Sequence, residues 1–408
     1  MSDSSQDILE PLRDSLVNKP PYVSGTLPLS PDDLRLSYDG PELACSAIDF
    51  TKATDEQLAA LARACQPATF GLDQKDVLDE SYRKAGKMDA AHFLTPIVPE
   101  RTDLHTIIRN DLLDGENSTR PIRFELYKLN VYGKDSFFKA HIDTPRSETM
   151  FGSLVLVYPT EHEGGALVLR HRDEEWTFDS AQAVKNQATL SVGYVAFFSD
   201  VEHEVSLVQA GYRVTLTFNV YYDEVEAVEV PPTTVANHTS IKTEMEALFR
   251  DPTFLPSGGL LGFGLQHVYP VEKTLDHVHK VLKGSDAVVW RVCSELSAKP
   301  KIYLVYGDPE DGYYRVIIDK VVQEDDPIHE GFIYRLLEDK RAIMVDNFLD
   351  GAEAENITPV TWVMKPEATR TKVKTPFIAY GNEAWLTCTY GEACIIASVP
   401  AFEIRQQA

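Results

Sequence analysis

The segment Phe137-Phe-Lys-Ala-His141-Ile-Asp143-Thr-Pro145 sets an imidazole and a carboxylate two residues apart. On an extended strand residues i and i+2 face the same side, so His141 and Asp143 are expected to project into one cavity. A third donor must come from elsewhere in the chain. His203, in Asp200-Val-Glu-His203-Glu-Val, follows the apolar run Tyr194-Val-Ala-Phe-Phe and opens another strand-like segment. Two imidazoles and one carboxylate, with positions left open, suit a redox-active divalent metal such as Fe(II).

Ten residues after His203 stands Arg213, in Gly211-Tyr-Arg213-Val-Thr215-Leu-Thr217-Phe-Asn219-Val. The run alternates, with Val214, Leu216, Phe218 and Val220 on one face and Arg213, Thr215, Thr217 and Asn219 on the other. An arginine facing a metal cavity needs an anion. Fe(II) with one aspartate carries about +1, and a bound dicarboxylate would bring the total to about −1. A buried guanidinium would pair with the far carboxylate and offset that charge.

The stretch from Tyr127 to Asn219, about a quarter of the chain, resembles the catalytic domain of prolyl 4-hydroxylase-type Fe(II)/2-oxoglutarate oxygenases. The resemblance rests on Tyr132 nine residues before His141, Phe138 three before it, Gly164-Gly165-Ala-Leu167, the distal His203, and Arg213 ten residues later. It implies that His141, Asp143 and His203 hold Fe(II), and that Arg213 and Tyr132, with Thr215 beside them, hold 2-oxoglutarate. O2 is the second cosubstrate. No catalytic residue beyond the metal ligands is implied. Two departures stand out. Asp135 occupies the usual glycine position six residues before the first histidine, and Phe138 replaces a commoner tyrosine. The flanks, including Phe70-Gly and Asp76-Val-Leu-Asp-Glu-Ser-Tyr-Arg-Lys, resemble those of fungal proteins carrying this domain, and collagen-type enzymes lack them.

Other readings of the same residues are plainer. His141 and Asp143 could sit on a strand surface, and Arg213 could pair with Glu202 or Glu204 outside any cavity. His277 and His279, with Asp276, form a second HxH. A helical period splits that pair between faces, so a solvated helix is expected there. Gly258-Gly-Leu-Leu-Gly262-Phe-Gly264 lacks the Lys-Ser/Thr ending of a phosphate loop and is expected to be a turn or a close-packing segment. Trp176 and Trp290 are expected in the core, and Cys388 and Cys394 as buried thiols.

The elements that must position these side chains are mainly strands. From Pro121 to Asp223 come RFELYKLNVY, SLVLVY, ALVLR, EEWTF, YVAFF, HEVSLV and YRVTLTFNVYY, rich in Val, Leu, Phe and Tyr. So many short strands in about a hundred residues suit a small double sheet or jelly roll. Thr54 caps an expected helix over 54–64, with Glu56 and Gln57 in its first turn, and 103–114 has a second helical pattern. Beyond Asp223, EVEAVEVPPTTVANHTS reads as a linker or loop. Helices are then expected over TSIKTEMEALFRD and VEKTLDHVHKVLKG, followed by strands at KIYLVYG, YYRVIID, TWVMK and ACIIASV. The expected fold is α+β: a double-stranded β-helix (jelly-roll) core at 116–225, an N-terminal helical and partly disordered region at 1–115, and a mixed α/β region at 226–408.

The bulk properties narrow the partners. The net charge is −24, with 63 acidic against 39 basic residues, which argues against nucleic acid or an anionic membrane as partner. Five cysteines without CxxC spacing argue for reduced thiols. The N-terminus carries no secretory signature, and no run approaches the length of a membrane span. A soluble protein of the cytoplasm or nucleus is expected. Three functions follow: hydroxylation of a protein or peptide side chain, with proline one possibility; the same chemistry on a small metabolite; or a non-catalytic jelly-roll interaction module.

Overall fold

A computed structural model describes residues 8–223, apart from 17–18, 41–43, 73–74, 144, 148 and 186. Beyond these it describes 236–269, 271, 274–307, 314–321, 342–347, 357–366, 372–379 and 385–406. The chain forms two compact units. One comprises residues 20–113 and 120–228, and the other 1–19, 114–119 and 229–408.

The first unit is built on two antiparallel sheets. Their strands, in chain order, are β1 (Tyr22–Pro28), β2 (Gln66–Pro67), β3 (Arg83–Lys84), β4 (Gly86–Asp89), β5 (Ile122–Tyr132), β6 (Phe137–His141), β7 (Met150–Val157), β8 (Leu167–His171), β9 (Glu174–Phe178), β10 (Ser191–Phe198), β11 (Glu202–Val205) and β12 (Arg213–Tyr222). The seven-stranded sheet runs β1-β10-β7-β12-β5-β4-β2, and the five-stranded sheet runs β9-β8-β11-β6-β3. The strand-like runs expected between Pro121 and Asp223 form strands, except that HEVSLV is split between β11 and a separate strand over Val208–Gly211. The apolar face of β12 is fully buried, with Val214 and Leu216 at 0% exposure. Its polar face, Arg213, Thr215, Thr217 and Asn219, lines a cavity that residues of both sheets enclose.

Residues 20–113 contribute β1 to β4 to these sheets. Within the N-terminal region the described residues include a helix over Glu10–Ser15 and strands over Tyr22–Pro28 and Arg35–Asp39. Leu34, Leu36 and Tyr38 explain the latter strand: they are all buried at period two, a signal masked by the neighbouring prolines. The helix Asp55–Ala64 forms with its capping box. The Thr54 side chain accepts from the Gln57 N–H, and the Gln57 side chain accepts from the Thr54 N–H. The pattern at 103–114 is a short α-turn, Leu104–Ile107, continued by a π-helical turn, Ile108–Leu112.

The second unit holds a sheet around Trp385–Val399, which pairs with Gly259–Gly264, Lys301–Gly307 and Lys372–Ala379. Its core includes Val305, Ile317, Val345, Val360, Cys394 and Ile396. The helix Ala236–Arg250 is as expected. The helix expected over 271–284 is not formed. Val278, Val281 and Leu282 are buried at helical spacing, but among the described residues they make only a 3-10 turn, Val278–Val281. Gly284, at φ +48°, redirects the chain, and the helix follows over Gly284–Glu295. His279 stacks on Trp290 at 5.2 Å instead of lying on a solvated helix. Gly258–Gly264 is a turn leading into a strand, where a side chain at Gly262 would strike Trp362. Trp176 and Trp290 are half-buried and not core. Cys394 is buried, and the Cys388 side chain lies outside the described residues. No helix among the described residues is long and apolar enough to cross a membrane.

Candidate active site

His141 and His203 face each other because their strands put them there. In the β6/β11 pair Phe138 opposes Val205 and His141 opposes His203. Three steps on one strand match two on the other, so an extra residue bulges between Phe138 and His141 and re-aims the chain end. The two imidazoles lie 4.2 Å apart between centroids. Asp143 comes after β6 has ended, so the strand alternation expected from the sequence is not what orients it. Ser153 on β7 does so, donating its hydroxyl to Asp143 Oδ2 at 2.6 Å. Asp143 Oδ1 lies 3.8 Å from His203 Nε2. One ligand atom from each of His141, Asp143 and His203 lies within 4.8 Å of the others, close enough to hold one metal ion.

The electrostatics suit that use. Burial, followed by the neighbouring His203, brings the His141 pKa down to about 3, so its imidazole is neutral and free to act as a ligand. Burial opposes the charge on Asp143, yet the two histidines and the Ser153 hydroxyl hold its pKa below the ordinary carboxylate value. His203 Nδ1 contacts the Val201 carbonyl at 3.0 Å, and His141 Nδ1 contacts the Lys139 carbonyl at 2.9 Å. Each contact assigns Nδ1 the proton and leaves Nε2 to coordinate. Phe138 stacks on His141 at 3.6 Å and carries the Arg83 guanidinium 4.2 Å from its ring. The phenyl group found where tyrosine is commoner thus serves as packing between a cation and an imidazole.

Arg213 is 1% exposed, and neither its Nε nor its Nη2 has a hydrogen-bond partner among the described residues. A buried guanidinium with orphaned donors costs free energy unless an anion meets it. Its pKa falls because of burial. Tyr132, 4% exposed, opposes Arg213 in the β5/β12 register, with its ring centre 5.5 Å from the guanidinium carbon. Thr215, 1% exposed, is next on the same inward face. The cavity of about 280 Å³ takes in all six expected site residues.

The structure also gives the Gly-Gly pair a reason. Gly164 and Gly165 have φ of +73° and +69°, and a Cβ on Gly165 would lie 3.0 Å from Arg213 Cδ. Gly165 therefore leaves room for the arginine stem. Asp135 adopts φ +61°, a left-handed conformation that aspartate tolerates better than most residues. This is how the chain does without glycine at that position. Several cavity residues were not singled out in the sequence. Ser153 could have been found as the lone polar side chain within Met150-Phe-Gly-Ser-Leu-Val-Leu-Val. Arg83 could not, because its place depends on hydrogen bonds to the Thr69 carbonyl at 2.7 Å and to Asn130 Oδ1 at 2.8 Å.

The donor set and the orphaned Arg213 fit Fe(II) and a dicarboxylate. Comparison with known proteins agrees: residues 127–221 match the family model of the 2OG-Fe(II) oxygenase superfamily. No curated protein matches the chain. Among solved structures, a Pseudomonas putida prolyl-4-hydroxylase is 19% identical, covering 53% of this chain and 100% of that one, with a TM-score of 0.28. A prolyl hydroxylase from Trichoplax adhaerens, solved with a peptide fragment of the hypoxia inducible factor oxygen degradation domain, is 15% identical. It covers 54% of this chain and 91% of that one, at a TM-score of 0.30. AviO1 from Streptomyces viridochromogenes Tue57 is 13% identical over 57% and 100% of the two chains, at 0.27. By the family match over 127–221 and the His-Asp-His donor set, the chain carries a 2OG-Fe(II) oxygenase domain and is a 2-oxoglutarate-dependent dioxygenase that uses Fe(II), 2-oxoglutarate and O2.

Proposed function

We propose that His141, Asp143 and His203 hold the Fe(II), that Arg213 with Tyr132 and Thr215 holds the distal carboxylate of 2-oxoglutarate, and that the enzyme hydroxylates a side chain of a protein or peptide, proline among the candidates. The observation that carries this reading is Arg213, a buried cation with two unpartnered donors in the cavity that holds both histidines and the aspartate. Bound Fe(II) supplies the redox chemistry that couples decarboxylation of 2-oxoglutarate to succinate with insertion of oxygen into a substrate C–H bond. The protein's own contribution is positional. Ser153 fixes the Asp143 carboxylate, the backbone carbonyls of Lys139 and Val201 fix the imidazole tautomers, and Arg213 sets the direction of the cosubstrate.

On this reading the two main sheets form a double-stranded β-helix, with residues 116–225 as its catalytic segment and the flanks resembling those of fungal relatives. A peptide is favoured over a small metabolite by the shape of the cavity. Beyond the Arg213 and Thr215 end assigned to the cosubstrate, its lining continues along β12 through Thr217 to Asn219, which suits part of an extended chain. At its rim Ile142 is 56% exposed, leaving apolar surface for a partner. The buried free thiols Cys293 and Cys394 fit the reducing cytoplasm or nucleus. The test is to offer the Fe(II)-loaded protein peptide and metabolite libraries with 2-oxoglutarate, and to measure succinate and a product heavier by one oxygen. Succinate coupled to an oxygenated peptide supports the reading, and an oxygenated metabolite alone replaces it.

A further inference from the structure

The chain is strongly acidic, yet its cavity is not. Arg83, Lys128, Arg146 and Arg213 line it, and among the described lining residues the one carboxylate is that of Asp143. Metal, Asp143, cosubstrate and Arg213 together sum to about zero. Arg83 already donates to Thr69 and Asn130. Lys128 and Arg146 remain, and among the described residues no carboxylate lies within ion-pair distance of either. Glu125 lies close by on β5, but Arg123 pairs with it at 3.7 Å.

These two cations are organised around Tyr127. In the β5/β12 register Leu126 opposes Phe218 and Lys128 opposes Thr217, so Tyr127 is the extra residue of a bulge. The bulge lets consecutive residues Tyr127 and Lys128 both reach the cavity. Arg146, three residues after Asp143, lies over the Tyr127 ring at 4.2 Å and donates to its hydroxyl, while Lys128 Nζ lies 4.3 Å from the same ring centre. Along β5, Lys128 is four residues from Tyr132, the partner of Arg213. That is about 13 Å of strand, beyond the roughly 5 Å between the carboxylates of a five-carbon diacid. Cosubstrate held at the Arg213 end therefore leaves the Lys128 end free.

We propose that Tyr127, Lys128 and Arg146 form a substrate subsite for a carboxylate, so that the enzyme selects acidic peptide segments over neutral or basic ones. The proposal rests on the peptide reading above and deepens it. An aromatic ring carrying two cations is a preorganised set of donors for an aspartate or glutamate carboxylate, because Arg146 can donate two parallel hydrogen bonds to it. The overall charge of the protein would repel such a peptide, so any preference for it must arise locally.

The experiment measures binding and turnover separately. Fluorescein-labelled, end-capped proline peptides flanked by Asp, Asn or Lys are titrated into the metal-loaded protein with saturating 2-oxoglutarate and near-physiological salt. The Asp peptide is expected to bind at least tenfold more tightly than the Asn peptide. Arg146→Glu should abolish that preference and improve binding of the Lys peptide, and Lys128→Gln should reduce it severalfold. Melting curves check that both variants are folded. Equal binding of Asp and Asn peptides, no binding of either, an unchanged preference in Arg146→Glu, or Asp-peptide binding that 2-oxoglutarate displaces each overturns the proposal. Mass spectrometry of the same peptides tests the underlying reading on its own. Tight binding of the Asp peptide without oxygenation keeps the subsite and removes peptide hydroxylation, whereas oxygenation without charge preference does the reverse.

Discussion

Two regions of the oxygenase unit treat an arginine in opposite ways. On β8, Arg170 is partly exposed and lies 2.7, 3.7 and 3.0 Å from the carboxylates of Glu175, Glu202 and Glu204. Inside the cavity Arg213 is almost fully buried, and among the described residues no carboxylate pairs with it. The arginine that could bind water freely is surrounded by anions, and the one that cannot is left alone. Surface pairs such as those of Arg170 contribute little, whereas an unpaired buried guanidinium is costly. The difference marks Arg213 as a group whose partner arrives from outside the chain. It also answers the plainer reading in which Arg213 pairs with Glu202 or Glu204, because Arg170 takes both.

The sharpest way to break this comparison is Arg213→Met. It removes the buried charge while keeping much of the volume. Ligand-free stability should rise by about 1–3 kcal/mol, while 2-oxoglutarate affinity should fall on the order of 30-fold or more, as for other buried charge pairs. Opposite signs in denaturant unfolding and in calorimetric titration would sharpen the contrast, and a loss of stability would break it. Ser153→Ala acts next. It frees the Asp143 carboxylate from its hydrogen bond and should lower metal affinity by about 10–100-fold, read by competition with a chelator. Gly165→Ala intrudes on the Arg213 stem from a left-handed backbone position. It should cost about 1–2 kcal/mol and weaken 2-oxoglutarate severalfold without changing metal affinity. The smallest effect belongs to the outer region. Arg170→Ala should change stability by under about 1 kcal/mol, and a larger loss would mean that the two arginines differ less than their surroundings suggest.

Much of this site was legible in the sequence because its spacing reflects strand geometry. The alternation through Arg213–Val220 gave both faces of β12, and the histidine pair and Arg213 sit on strands recognisable by composition. What was not legible depends on pairing between distant segments. Tyr127 enters the cavity only because β5 bulges against β12, and a bulge leaves no mark in one strand read alone. Asp143 is aimed by Ser153 from another strand, so the i, i+2 argument reached the right residue through the wrong geometry. The strand Arg35–Asp39 was hidden by neighbouring prolines although its alternation was present. In the second unit, burial at helical spacing around Val278–Leu282 looked like a helix, and one left-handed glycine redirected it.

Linkage between metal and cosubstrate tests the central claim most directly. If His141, Asp143, His203 and Arg213 make one site, 2-oxoglutarate and a divalent metal must raise each other's affinity by the same factor. Anaerobic titration of 2-oxoglutarate into the protein with and without Fe(II) should show markedly tighter binding with metal. His203→Ala should erase that difference, and Arg213→Met should weaken binding in both states. An affinity for 2-oxoglutarate that is indifferent to metal, or a metal dependence that survives His203→Ala, would contradict the account.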